Sequence, residues 1–426
     1  MQRWLTDMLG LSALVVATAL PVGCGDGSSA GSPDAAPTAD ASPADAPPAP
    51  PAEYFLSSYA ENRAAFGDQA SYLQAIYPDM TCRSLVVPDQ PDPDLTTEFC
   101  HLPARSTPRR LLILTSGVHG IEGFVGTTMQ SLFMSEILPG LDLADTGVLL
   151  VHALNPSGFK QLRRVNENNV DLYRNCDIDP ALYQTENEAY RSLNDFINPT
   201  VPVDATSLDR DLFLQKVLDL LGQYSMDTLK QALLGGQYEF PDGVYYGGSA
   251  LQPQIVAIRP LLESVVTGYA AILHIDFHTG YGARGRLHYF PDPVDDPELK
   301  ALTEQVFAGY QIDWPNTSEF YTISGSYLVF VGELVPPGTP YVSMSFEYGT
   351  MDSQTLEGEI ASAHNMIVEN EGFHYGYATP EVETEVKLRF VEMFFPSDEG
   401  WRAAVLAQTR ESLPVIIRQF QQLTLP

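Results

Sequence analysis

The sequence predicts an α/β fold, a single domain on a mixed, mostly parallel sheet with helices on both faces. Apolar strand-like runs at Leu111, Gly147, Ala270, Leu287 and Tyr341 alternate with stretches of helical composition. That alternation is the pattern of a sheet covered by helices. Several of these runs also break into glycine and polar residues, and the carboxyl ends of strands are where open α/β sheets bind ligands.

Before the body comes a segment about location. Arg3 precedes an apolar run from Leu9 to Val22, ending at Gly23 and Cys24. Residues 1–23 have the shape of a secretory leader, and the run is short for a membrane span. Cys24 in LPVGC resembles a bacterial lipobox cysteine, which becomes lipidated. Residues 25–52 are rich in Ala, Pro, Asp and Ser and carry no bulky apolar residue. They read as a disordered tether for a body spanning 53–426. The expectation is an exported bacterial lipoprotein facing the periplasm or cell surface, held at the membrane by its lipid anchor alone. Soluble secretion is the alternative.

Early in the body, Cys82 and Cys100 flank a Pro- and Asp-rich loop and can pair in an oxidising compartment. The run Leu111 to Leu114 then reads as a buried strand, Gly117 and Gly120 as a tight turn, and Gly123 to Ile137 as a helix. Between them stands H-x-x-E, His119 and Glu122, able to offer an imidazole and a carboxylate to one metal ion. Zinc takes such ligands, and a catalytic zinc keeps three of them with a fourth position open.

After the run Gly147 to Leu154, the segment NPSGFKQLRRVNENNVDLYRNC concentrates Arg163, Arg164 and Arg174 in a chain with 23 basic and 54 acidic residues. A planar guanidinium grips a carboxylate with two parallel hydrogen bonds, so this segment suits an anionic substrate. Residues 177–248 look like an insertion. Within it, Leu212, Val217, Leu218, Leu221 and Leu229 predict amphipathic helices, read as a packing layer. The following YYGGSALQP, Tyr245 to Pro253, is a candidate cleft lining.

The third metal ligand is expected from AAILHIDFHTGYG. His278 is preferred over His274, which shares its strand face, because His278 lies nearer the glycines. In TPYVSMSFEYGT, Glu347 ends another apolar run. Beside a metal-bound water, such a carboxylate can serve as general base and then acid. The last helix is expected over Glu399 to Gln422, with Trp401, Val405, Leu413 and Ile416 at helical spacing. Cys176 reads as a buried thiol. The net charge of −31 argues against nucleic-acid binding, which needs a basic footprint.

Four motifs in this order resemble the zinc metallocarboxypeptidase superfamily: His119-x-x-Glu122, then R-x-N-x-x-x-V-D-L-x-R-N from Arg164 to Asn175, then D-x-H-T-G from Asp276, then F-E-Y-G-T around Glu347. The likeness covers about residues 55–375. It is nearest to a bacterial branch of undefined substrate, related to the succinylglutamate desuccinylase and aspartoacylase group. It implies one zinc on His119, Glu122 and His278, with Glu347 as general base. It further implies Arg164 or Arg163 at the oxyanion, Arg174 on the substrate carboxylate, and Asp171 orienting the first zinc histidine. Tyr173 replaces the family's usual asparagine, and with Arg163, Arg174 and Asn175 it makes up the expected substrate-binding set. The expected activity is zinc-dependent cleavage of an amide next to a carboxylate-bearing group, with peptides as substrates. The alternatives are an N-acyl amino acid deacylase and an inactive anchored binding protein.

Overall fold

The computed structural model describes residues 54–425, apart from 89, 91 and 316–323. The leader, Cys24 and the tether lie outside the described residues. In chain order the main elements are α1 (Tyr59–Ile76), β1 (Thr81–Val86), β2 (Thr96–Leu102), β3 (Arg110–Ser116), α2 (Gly123–Leu132), β4 (Thr146–His152) and α3 (Pro156–Gln161). There follow α4 (Glu188–Ile197), α5 (Arg210–Leu221), α6 (Met226–Leu234), α7 (Pro253–Val266), β5 (Ala271–Gly280) and β6 (Leu287–Phe290). The chain closes with α8 (Pro297–Val306), α9 (Tyr327–Leu334), β7 (Tyr341–Gly349), α10 (Leu356–Tyr375), α11 (Pro380–Phe394) and α12 (Glu399–Gln421).

The seven strands form one sheet in the order β1-β2-β4-β3-β5-β7-β6. The four central strands, β4, β3, β5 and β7, run parallel, and antiparallel pairs extend the sheet at both edges. Side chains along β3 point alternately to the two faces of the sheet, as a two-residue period requires. Leu112 and Leu114 join Phe66, Leu73 and Met129 in one core, with Val405 and Ile416 from α12. Leu111 and Ile113 face the other way, packing with Ile255 and Ile258 from α7 and Phe330 from α9. Both faces of β3 are therefore fully buried, which explains why its sequence is continuously apolar.

One edge was illegible beforehand. The segment around Cys82 and Cys100 is a β-hairpin, with Cys82 opposite Cys100 in register and the two joined as a disulfide. TCRSLV gives no alternation because this edge strand is mostly exposed. The insertion folds into α4, α5 and α6, each capped at its start by the side chain of Asn187, Asp209 or Ser225.

A candidate metal centre at the strand ends

Loops and strand ends on the carboxyl side of β3, β4, β5 and β7 meet in one place, and each is held there by local backbone geometry. After β3 the chain turns through Gly117, whose φ of +67° favours glycine. Gly120 then lies so close to α3 that an added Cβ would fall 2.2 Å from the Gly158 carbonyl carbon. The backbone N–H groups of Gly120 and Ile121 donate to the carbonyls of Arg164 and Arg163, at 3.0 and 2.9 Å. The H-x-x-E loop is thereby fastened to the arginine segment.

His119, Glu122 and His278 are buried, and a ligand atom from each lies within 4.8 Å of the others. The His119 and His278 Nδ1 atoms stand 3.3 Å apart. Glu122 Oε1 is 2.9 Å from His119 Nδ1, and Oε2 is 3.0 Å from His278 Nδ1. The opposite nitrogens face acids: His278 Nε2 lies 2.7 Å from Asp276 Oδ2, and His119 Nε2 lies 3.3 Å from Asp171 Oδ1. An acid behind each ring favours the Nε2–H tautomer and turns the Nδ1 lone pair inward, the usual outer support of a metal-binding histidine. Arg164 Nη2 also approaches His119 Nε2, at 2.6 Å. Guanidinium only donates, so metal binding through Nδ1 requires Asp171 to be the partner of that nitrogen.

Charge points the same way. With His278 neutral, as binding a metal requires, the three carboxylates held below their usual range, Glu122, Asp171 and Asp276, outnumber the guanidiniums of Arg164 and Arg174, an excess that a divalent cation offsets. Burial opposes the charge of Glu122, yet His119 and His278 outweigh it and hold that carboxyl below its usual range. Burial likewise opposes charge on Asp171, and Arg164, Arg174 and His119 bring it well below the ordinary value. At His278 burial disfavours the imidazolium, but Asp276 and Glu122 raise its pKa well above normal. Two imidazole nitrogens and a carboxylate form a donor set that fits zinc.

Glu347 is the direct cross-strand neighbour of His278 in the β5–β7 ladder. Its Oε1 accepts from the Tyr281 N–H at 2.9 Å. Burial and the charge of Glu122 push its pKa up to about 8, in the range suited to exchanging a proton near neutrality.

The predicted arginines separate. Arg164 points inward, its Nε 3.1 Å from Asp171 and its Nη1 3.1 Å from Glu122. Arg163 turns the other way, contrary to its expected place at the oxyanion or the substrate. It is 2% exposed, bonds Glu369 and Asn370 of α10, and lies 3.6 Å from the Phe373 ring centre. Arg174 lines the cavity, but Nη1 donates to Asp171 at 2.5 Å and Nη2 to the Leu234 carbonyl at 2.6 Å. Asn175 departs from its substrate-binding assignment because its side chain binds backbone at Gly247, Ala250 and Gln252. Tyr173 does reach the site, its ring 5.7 Å from that of His119 and 5.2 Å from that of His278.

His274 is a buried structural residue, 3.0 Å from Thr115 Oγ1 and 2.8 Å from the Tyr341 hydroxyl. Burial brings its pKa down to about 4. Cys176 is a buried thiol whose sulfur donates to the Leu172 carbonyl. Two acids near the site were not assigned roles from sequence. Asp276 was legible as the D-x-H spacing that places it on the face of His278, and Thr115 fixes it with a 2.7 Å bond. Asp292 follows β6 between two prolines, lines the cavity and accepts from Ser326 at 2.9 Å, with burial pushing its pKa to about 6. Of YYGGSALQP, Tyr245 lines the cavity.

A cavity of about 300 Å³ opens on His119, Glu122, His278, Arg164, Tyr173 and Glu347. Among the described residues no helix is long and apolar enough to cross a membrane.

A family model described as protein of unknown function (DUF2817) matches residues 55–408. A search of curated proteins found no match. Among solved structures the chain is similar to carboxypeptidase A from Helicoverpa armigera, at 12% identity over 79% of this chain and 74% of that one, with a TM-score of 0.41. It is similar to bovine thrombin-activatable fibrinolysis inhibitor, solved with a tick carboxypeptidase inhibitor, at 13% identity over 79% and 98% of the two chains, TM-score 0.41. An aspartoacylase family protein from Mesorhizobium loti matches at 14% identity over 70% and 67%, TM-score 0.35.

Proposed function

We propose that this chain, which belongs to the family described as protein of unknown function (DUF2817), is a zinc-dependent hydrolase of amide bonds. The observation that carries the reading is the convergence of His119, Glu122 and His278 within 4.8 Å, each histidine backed by an acid. When bound there, zinc would polarise a carbonyl oxygen and acidify a water. Glu347, beside His278 and opening on the same cavity, is placed to take a proton from water and pass it to the departing amine. Arg164 brings permanent positive charge to the region where a carbonyl oxygen gains negative charge. Asp171 and Asp276 hold the two rings in orientation.

Two finer readings differ in their substrate. A carboxypeptidase needs donors for the terminal carboxylate, yet Arg174 is bonded to Asp171 and Leu234, and Asn175 to backbone. That observation argues against recognition through a free carboxylate, which peptides and N-acyl amino acids share, and favours a substrate recognised through its acyl side. Attachment to a membrane through Cys24 rests on the leader and lipobox-like sequence, and is a proposal of the sequence.

The test is hydrolysis of N-acyl amino acids and of C-terminal peptides by the purified protein, before and after chelation. Activity that disappears with chelator and returns with zinc is expected. Full activity in metal-stripped protein would contradict the reading.

A further inference from the structure

We propose that the insertion turns the cavity beside the metal donors into an acyl-chain site, so that the substrates are amides of straight aliphatic acids, N-acyl amino acids among them. This rests on the hydrolase reading above and names its substrate class. The cavity that opens on His119, His278 and Glu347 is walled on another side by Leu193 and Ile197 of α4, Val217 of α5 and Leu233 of α6. Every described residue that these three helices give to the wall is apolar.

A packing layer would bury such side chains in one another. Here Val217, Leu220, Leu229 and Leu233 pack against the core yet stay only partly buried, because they also line the cavity. Apolar surface left in contact with water is what an aliphatic chain removes on binding. The outer face of α5 continues the pattern, with Leu212, Leu214 and Leu218 exposed at 41%, 36% and 52%. The insertion is also fixed to the centre, because Arg174 bonds both Asp171 and the carbonyl of Leu234 at the end of α6.

The reaction is balanced by water alone. The amide C–N bond breaks and a C–O bond forms from water to the acyl carbon. Both of the water's protons end on the amine, the first by way of Glu347, and the products are a fatty carboxylate and an ammonium.

Calorimetric titration with hexanoate, octanoate, decanoate and dodecanoate, each below its micelle concentration, tests the chain site without turnover. The expected result is an affinity gain of about fourfold per methylene until the cavity is full, from roughly 0.8 kcal/mol per buried methylene. Val217→Asp and Ala363→Phe, which add charge and bulk to the wall, are expected to weaken decanoate binding roughly tenfold or more, a loss worth one to two methylenes. Affinity independent of chain length overturns the proposal, as does unchanged decanoate binding in both variants when each still melts cooperatively. Should the variants unfold, the chain-length series on the parent protein decides. A matched series of N-acyl glycines separates this from the reading beneath it. Hydrolysis of acetylglycine or a peptide with no gain from longer chains sinks the acyl site alone. Decanoate binding without hydrolysis of any acyl amide or peptide sinks the hydrolase reading and the substrate assignment with it.

Discussion

Glu347 has one role in catalysis and another in stability, and the two can be measured separately. As general base and acid it is worth about 10²- to 10⁴-fold in rate, so Glu347→Gln is expected to lower kcat/KM by that much while zinc content stays unchanged. Undiminished activity in the variant would remove Glu347 from the reaction. In metal-free protein the same carboxyl titrates near pH 8, far above its unfolded value of about 4.3. A raised carboxyl pKa means the native state holds the proton more tightly. Its stabilisation is complete below the unfolded value and is lost as pH rises towards 8. His278, also raised, adds loss in the same direction above its unfolded pKa of about 6.5. Metal-free protein should therefore melt at a lower temperature at pH 8.5 than at pH 5.5, and Glu347→Gln should flatten that trend. A rise in melting temperature over the interval would contradict the assignment. At this scale much was readable. His119, Glu122, His278, Arg164, Tyr173 and Glu347 were named from sequence and all open on one cavity. Arg163 and Arg164 could not be told apart, because neighbouring residues on a turn face opposite ways and only tertiary packing decides which faces inward.

At the scale of elements, Arg163 belongs to stability. It sits between the site loop and α10, paired with Glu369, which also binds Lys387 at 2.9 Å. Removing one member of a buried ion pair typically costs about 3–5 kcal/mol. Arg163→Ala should lower stability towards that range in denaturant unfolding and still leave one zinc bound. Loss of zinc with stability intact would return Arg163 to the site. The hairpin β1–β2 supplies a second check: with the Cys82–Cys100 disulfide formed, denatured, unreduced protein should yield no reactive thiol from that pair. Reaction of both cysteines would contradict the pairing. Neither strand of this hairpin is legible: β1 is an exposed edge strand without hydrophobic alternation, and β2, although buried, reads TTEFCHL, polar at most of its positions. By contrast β3, β4, β5 and β7 are legible as apolar runs, and β3, β4 and β5 are buried on both faces as parallel central strands are. The spacing in the insertion predicts helices that pack on the body, and α4, α5 and α6 do so while also lining the cavity. Amphipathic spacing tells which side of a helix is apolar, not whether that side meets protein or a cavity.

For the whole molecule, parallel strand ends bring together residues more than two hundred positions apart, from His119 to Glu347, and place an apolar wall beside them. That convergence is what a sequence shows only as motif order. It also ties metal to folding: a ligand that binds only the native state stabilises it by about 4 kcal/mol at a thousandfold excess over its Kd. Zinc should raise the melting temperature of the parent protein and not of His278→Ala. The central claim is that one zinc is held by His119, Glu122 and His278, and elemental analysis of purified protein beside its His278→Ala variant tests it most directly. The expected result is a zinc-to-protein ratio near one in the parent that collapses in the variant. A parent that stays metal-free after reconstitution with zinc, or a variant that keeps its full complement, would contradict it.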